Sequence, residues 1–245
     1  MDKQFYLDYI DWLRSSCKTA WGKPVSPKTA HSYYTTLRTA LNEAVRENLI
    51  ASNPWYRLEM TEKIKVPESK RDFLTIEEIK RMMATPFFNE QVRQAYLFSC
   101  FCGLRISDIR KLRWRDLSMS GGQWRASVVM TKTIHPVYIP LSSQAVKWLP
   151  ERGDCTPDGL VFGGLPNEGN LCVNLKNWAE KAGVKKNVTF HTARHSCAVL
   201  LLTLGADIYT VSKILGHRSV RSTQVYAKIV DKKKDDAIAL VDNAF

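Results

Sequence analysis

The sequence predicts an α+β protein, mainly α-helical, with an N-terminal helical domain followed by a mixed domain that carries a small antiparallel hairpin. Three observations lead there. Apolar residues recur at helical spacing through most of the first 117 positions, and a charged, Pro-containing stretch without periodicity (62–71) divides them. Two short runs rich in Val, Ile, Trp and Tyr follow, Gln123–Met130 and Ile134–Ile139.

Taken in order, residues 3–15 place Phe5, Tyr6, Ile10 and Leu13 at helical spacing. After a Gly- and Pro-rich break at 22–27, a second helix is expected from about Thr29 to Asn48, led by Tyr33, Leu37, Leu41 and Val45. Its polar face carries Lys28, Arg38 and Arg46. Thr75 and Glu78 stand at the spacing of a capping box, so a new helix opens there and a second domain begins near residue 72. Helices are expected to reach about Leu117. The hairpin then turns through Thr131-Lys132-Thr133, and Pro136, which lacks an amide hydrogen, puts its second strand at an edge. Helices resume at Ser142–Leu149 and Asn170–Ala182. Three more follow Thr189, divided by Gly205 and Gly216.

Composition narrows the class. Of 245 residues 44% are hydrophobic and 24% charged, as in a soluble globular protein, and there is no apolar run long enough for a membrane span. The first residues, Met-Asp-Lys-Gln, lack a signal pattern, so a cytoplasmic location is expected. Lys and Arg exceed Asp and Glu by 12, and 26 of the 36 basic residues lie beyond position 69. A surface of that sign attracts polyanions, without distinguishing DNA from RNA. None of the six cysteines forms a Cys-x-x-Cys pair, so reduced, largely buried thiols are expected.

The chemistry gathers in the last third, where His191-Thr192-Ala193-Arg194, Leu215-Gly216-His217 and Tyr226 fall within 36 residues. A phenol is mostly protonated at neutral pH. It becomes a nucleophile when a base takes its proton and cations stabilise charge developing on phosphate. Histidine and arginine suit those two tasks. His191 and His195, four apart, match a metal pair only in part, because no glutamate follows the first and no third ligand is near; no metal is expected. P-loop and two-metal acidic patterns are likewise missing from the sequence.

Cys102-Gly103-Leu104-Arg105-Ile106-Ser107-Asp108, the hairpin Lys132, His191-x-x-Arg194, Leu215-Gly216-His217 and Tyr226 nine residues later together resemble the tyrosine recombinase (phage integrase) family. Ile139-Pro140-Leu141 and Thr223 fit the same pattern. The resemblance covers about 72–230, and the helical region before it looks like that family's core-binding domain. It implies a core DNA-binding domain at 1–66, a linker at 67–71, a catalytic domain at 72–230, a tail at 231–245, and no arm-binding domain.

The resemblance also implies roles. Tyr226 would attack the scissile phosphate to form a 3′-phosphotyrosyl bond, with Arg105 and Arg194 clamping the non-bridging oxygens. Lys132 would protonate the leaving 5′ oxygen, His191 would accept the phenol proton, and His217 would bond a phosphate oxygen and align the tyrosine. Asp108, where many members carry glutamate, would brace the site. Expected partners are double-stranded DNA, with Lys28, Arg38 and Arg46 on its phosphates, and further protomers, as a tetramer on two DNA sites. The apolar stripe Ala237–Val241 would dock on a neighbouring protomer. No cofactor, metal or ATP is expected. The implied function is the integrase/excisionase-type site-specific recombination of a mobile element, bacterial or phage-encoded. A tyrosyl-type topoisomerase and a non-enzymatic architectural DNA-binding protein are the alternatives.

Overall fold

Asp2 starts the first helix, its carboxylate accepting a hydrogen bond from the Phe5 amide at 3.0 Å to cap α1 (Lys3–Ser15). The computed structural model describes residues 1–66, 71–132, 134 and 136–227, and the chain divides into two units, Met1–Lys70 and Arg71–Phe245. In the first, Ser26 caps α2 (Pro27–Arg46), with Pro27 supplying a preset φ at the first turn. Tyr6, Ile10 and Leu13 of α1 pack on Ala30, Tyr34 and Leu41 of α2. Asn53, itself buried, fastens the 3-10 turn Pro54–Arg57 to α2: its Nδ2 donates to Asn42 Oδ1 (2.7 Å) and to the Arg38 carbonyl (3.1 Å), and its Oδ1 accepts from the Trp55 amide (3.0 Å).

The core residue of α2 differs from expectation by one position. Tyr33 is 46% exposed, whereas Tyr34 is buried edge-to-face against Tyr6, ring centroids 6.1 Å apart. Two adjacent tyrosines satisfy helical spacing almost equally, and the facing ring selects one of them. Phe5 is exposed for the same reason: Tyr6 occupies the inward position.

The second unit opens on α3 (Ile76–Ala84), capped as expected: Thr75 Oγ1 accepts from the Glu78 amide and Glu78 Oε2 from the Thr75 amide. α4 (Glu90–Cys102) is apolar on nearly every side and forms the axis of the main core, packed on α6 (Ser143–Lys147) and α8 (Phe190–Thr203). A short α5 (Ile106–Ile109) follows, then a 3-10 turn at Trp114–Asp116. The sheet has three strands, β1 (Leu117–Ser120), β2 (Gln123–Val129) and β3 (Pro136–Pro140), antiparallel in the order β1-β2-β3. Its register pairs Ser120 with Gln123 and Val129 with Pro136, which leaves β3 at an edge as Pro136 requires. α7 (Glu168–Lys181), α9 (Ile208–Ile214) and α10 (Arg221–Ala227) complete the unit.

The last α-helix of this region therefore ends at Ile109, a 3-10 turn carries the helical stretch on to Asp116, and the hairpin is a meander with an extra strand. β1 has a single buried position and shows no alternation; its signal lies in Gly121-Gly122, both at positive φ, which make the two-residue turn into β2. Four cysteines are buried and Cys155 and Cys172 are exposed, all as free thiols. Among the described residues no helix is long and apolar enough to cross a membrane.

A second, smaller core joins α8, α9 and α10 through Ala198, Val199, Leu202, Val211, Leu215 and the ring of Tyr226. Gly103 sits where the two cores meet. It ends α4 at φ +74, and a Cβ there would lie 2.6 Å from Leu215 Cδ2 and 3.3 Å from Cys197 Sγ. Gly103→Ala is expected to cost about 2–4 kcal/mol, from left-handed strain of about 1–2 kcal/mol and overpacking of similar size. Gly122→Ala has the same strain (φ +75) with nothing within 4 Å, so it is expected to cost only about 1–2 kcal/mol. Urea denaturation of both variants checks the difference.

Candidate functional site

Arg105 stands at the N-cap of α5, immediately after the Gly103 turn, with its side chain mostly buried. Its Nη1 lies 3.7 Å from Met130 Sδ and 4.0 Å from Asp108 Oδ2. Asp108 is fully buried, and its Oδ1 accepts a hydrogen bond from the Thr131 amide at 2.8 Å. One carboxylate thus touches Arg105 and anchors the residue before Lys132, which is exposed on the turn between β2 and β3.

α8 supplies three groups from its first turns. His191 is exposed, Arg194 is buried and His195 is half-buried. Arg194 donates from Nη1 to the Gly103 carbonyl (2.7 Å) and from Nη2 to the Leu215 carbonyl (2.5 Å). It thereby satisfies backbone oxygens at the ends of α4 and α9. Gly216, at φ +61, lets the chain turn from α9 into His217; a Cβ there would come within 2.9 Å of Val137. His217 Nδ1 and Thr223 Oγ1 are 2.7 Å apart, which ties the α9–α10 turn to α10.

Tyr226 lies one turn of α10 beyond Thr223 and is 1% exposed. Its Oη is 2.6 Å from His195 Nδ1 and accepts a hydrogen bond from Arg71 Nη1 at 3.2 Å. His191 makes no hydrogen bond to it, so the imidazole on the phenol is the one four residues further along α8. Arg105, Arg194 and Lys132 all act electrostatically on His191, and Arg105, Arg194 and Arg71 on His217. The six residues marked by the motifs therefore gather in one place, while His195 and Arg71 join them unannounced. His195 had a visible signal in its spacing from His191, which suggested only an incomplete metal pair. Arg71 had none, being 155 positions from the oxygen it meets.

The site is rich in cations, and burial works with them to keep the imidazoles neutral. His195 and His217 are each pulled down to about 4, chiefly by burial, then by Arg71 for His195 and by Arg194 for His217. His191, the most exposed of the three, is lowered by the partial burial it does have and then by Arg194. Arg194 falls to about 10 through burial and the neighbouring Arg105, and stays charged at neutral pH. Below the ordinary histidine value near 6.5 the unfolded chain takes up protons that these imidazoles refuse. Their stability contribution is therefore complete above about pH 6.5 and is lost as the pH falls toward 4. Discounted for partial solvent screening, the melting temperature at pH 5 is expected to be about 5 °C below that at pH 7.5. His217→Asn should flatten that slope in a calorimetric series.

In the first unit, Lys28 and Arg46 are exposed on α2, and Arg46 pairs with Glu43 at 3.1 Å. Arg38 is half-buried, its guanidinium 4.7 Å above the Trp55 ring, with Lys63 Nζ 4.0 Å from the same ring. Arg38, Trp55 and Lys63 line a cleft of about 720 Å³ together with His31 and Lys65, and among the described residues no acidic side chain lines it.

Residues 72–233 match the model of the phage integrase family, and residues 1–65 match that of the phage integrase SAM-like domain. The chain belongs to the phage integrase family. A tyrosine recombinase of Thermosipho africanus (strain TCF52B) is 31% identical over 232 residues, covering 89% of this chain and 77% of the relative. Tyrosine recombinase XerD of Pseudomonas putida is 27% identical, over 93% of this chain and 77% of its own. Among solved structures, the XerH site-specific recombinase in a post-cleavage complex with a palindromic difH substrate aligns over 99% of this chain and 73% of that chain, with a TM-score of 0.73 at 18% identity. The Tn1549 transposon integrase bound to transposon right end DNA aligns over 98% and 86%, TM-score 0.71 at 15% identity. This integrase-family protein is a DNA strand transferase of the tyrosine recombinase kind.

Proposed function

We propose that this integrase-family protein is a site-specific recombinase that cuts and rejoins DNA through a 3′-phosphotyrosyl bond to Tyr226. The observation that carries the reading is a tyrosine whose oxygen is fixed by an imidazole and an arginine, beside a cluster of further cations. The Tyr226 oxygen attacks phosphorus as its proton passes to a neutral histidine, the role assigned to His191. The bond to the 5′ oxygen breaks, and Lys132 gives its proton to that oxygen, which departs as a hydroxyl. Arg105 and Arg194 stabilise the phosphorane. Arg194 keeps three N–H groups beyond the two given to carbonyls, enough to meet a phosphate oxygen without leaving its place. His217, its Nδ1 engaged by Thr223, offers Nε2 to phosphate, and Asp108 braces Arg105 and the Lys132 turn.

The phosphotyrosyl bond conserves the broken diester, so religation to another 5′-hydroxyl reverses the step without a nucleotide cofactor. In the 1–66 domain, Lys28 and the Arg38–Trp55–Lys63 cleft would follow phosphates; Arg46, already paired with Glu43, would add less. Assembly as a tetramer on two DNA sites belongs to the same proposal. The tail proposed to couple protomers, 231–245, lies outside the described residues.

A nicked-duplex library with randomised half-sites tests the reading. Loss of the short 5′-hydroxyl fragment should trap a covalent adduct in EDTA, and sequencing the captured DNA should yield one dominant site. An adduct spread over all sequences would argue against site specificity. We read the biological role as integrase/excisionase-type recombination of a mobile element, from the phage integrase match over both domains. A Xer-type recombinase is the second reading, favoured by relatives named XerD and XerA. Plasmids carrying the captured site once or as a direct repeat would tell joining of two molecules from resolution of one.

A further inference from the structure

Only one polarity of the hydrogen bonds on the Tyr226 phenol leaves its buried O–H hydrogen paired. A guanidinium can only donate, so Arg71 Nη1 donates to Oη across 3.2 Å. The phenol then sends its own hydrogen to His195 Nδ1, 2.6 Å away, which requires a neutral His195 with its hydrogen on Nε2. Burial, Arg71 and the nearby His191 and Arg194 all favour that neutral form. The ring below the oxygen packs into the apolar cluster of Ala198, Val199, Leu202, Val211 and Leu215. Every polar group on the phenol is satisfied and its surface is closed to solvent. A phosphodiester cannot reach an oxygen in a side chain that is 1% exposed.

We infer that His195 and Arg71 are positioning residues for the nucleophile: together they hold the Tyr226 oxygen in a buried resting place that it leaves before it attacks. The inference rests on Tyr226 being the nucleophile. Arg71 is suited to opening the latch, because a DNA phosphate is a stronger partner for a guanidinium than a neutral phenol is. Once Arg71 turns to phosphate, the oxygen keeps a single bond to His195, and α10 loses half of its polar attachment at this end. Removing the His195 acceptor has a parallel effect: a buried O–H without a partner favours conformations in which α10 lifts and the phenol meets water.

Acetylation by N-acetylimidazole, read peptide by peptide by mass spectrometry on the full chain without DNA, tests this. Tyr56 and Tyr138 are exposed references, and Tyr6 and Tyr96 are fully buried ones. In the parent protein Tyr226 should react at least about 10-fold more slowly than Tyr56; His195→Phe should raise its labelling at least about 5-fold with Tyr96 still protected. His195→Asn, whose Oδ1 accepts in nearly the same place, should restore protection. Single-turnover adduct formation on nicked DNA by His195→Phe should equal or exceed the parent rate. The latch is overturned if Tyr226 stays equally protected in His195→Phe. It is also overturned if that variant loses about 10-fold or more in adduct rate while Tyr96 stays protected, since His195 then acts in the reaction itself. Should His195→Phe expose Tyr96 as well, Arg71→Gln is judged by acetylation alone, since Arg71 also meets phosphate: faster labelling of Tyr226 with Tyr96 protected supports the latch, and unchanged protection overturns it. A parent protein that forms no adduct sinks the nucleophile reading instead, leaving the acetylation contrast to judge the contact.

Discussion

Tyr226→Phe is expected to bind DNA as the parent does and to form at least about 1,000-fold less covalent adduct on a nicked duplex. The substitution removes one oxygen. The ring stays in the cluster with Val199, Leu202 and Leu215, and Thr223 still meets His217, so α10 keeps its place. His195 Nδ1 loses its partner, at a cost of about 1 kcal/mol that a melting curve will register. Arg105, Lys132 and Arg194 remain to attract phosphate, and nothing remains to attack it. A denaturing gel of protein joined to labelled DNA, run with EDTA throughout, reads the result. An undiminished adduct in the Phe variant would remove Tyr226 as nucleophile. Cleavage that appears only with a divalent metal would point to a nuclease, and relaxation of plasmids lacking the captured site to a topoisomerase.

The spread of residues explains how much of this site was legible in the chain itself. Arg105, Lys132, His191, Arg194, His217 and Tyr226 stand in short boxes whose local geometry is written beside them. Gly103 makes the turn that presents Arg105, Gly216 the one that presents His217, and Thr223 sits one helical turn before Tyr226. Helices with a cap or a full apolar stripe were equally readable, α1 and α3 among them. What could not be read depends on neighbours remote in sequence. Tyr34 faces inward because the Tyr6 ring waits there, and β1 exists because β2 offers it a partner. The contact of His195 and Arg71 with one phenol joins three separate segments, and no local pattern encodes it. The carbonyls on Arg194 belong to the same class: the motif marks the arginine, while only the packing of α4, α8 and α9 shows that it also ties two helix ends.

That double duty makes Arg194→Lys the second large effect, with adduct formation expected to fall at least about 100-fold although the formal charge is conserved. Nη1 and Nη2 reach carbonyls on different elements, at 2.7 and 2.5 Å, and the remaining N–H groups are those left for phosphate. One ammonium cannot span both carbonyls and still offer paired donors. At least one of them then lies buried without its partner, at a cost of about 1–3 kcal/mol in urea denaturation. The charge is at risk as well. Burial and Arg105 already draw the arginine down to about 10, a fall it survives because it starts so high. A lysine there begins near 10.4 and meets the same desolvation and the same neighbouring cation, so its folded value moves toward neutrality. Above that value the ammonium is uncharged. The variant's residual activity should therefore decline as the pH is raised from 7 to 9, over a range where the parent holds its rate. Adduct formation across that range separates the two losses: a uniform drop reports the missing fork, and an added fall at high pH reports the missing charge. Parent-like rates at every pH would show that Arg194 serves the two carbonyls and not the phosphate.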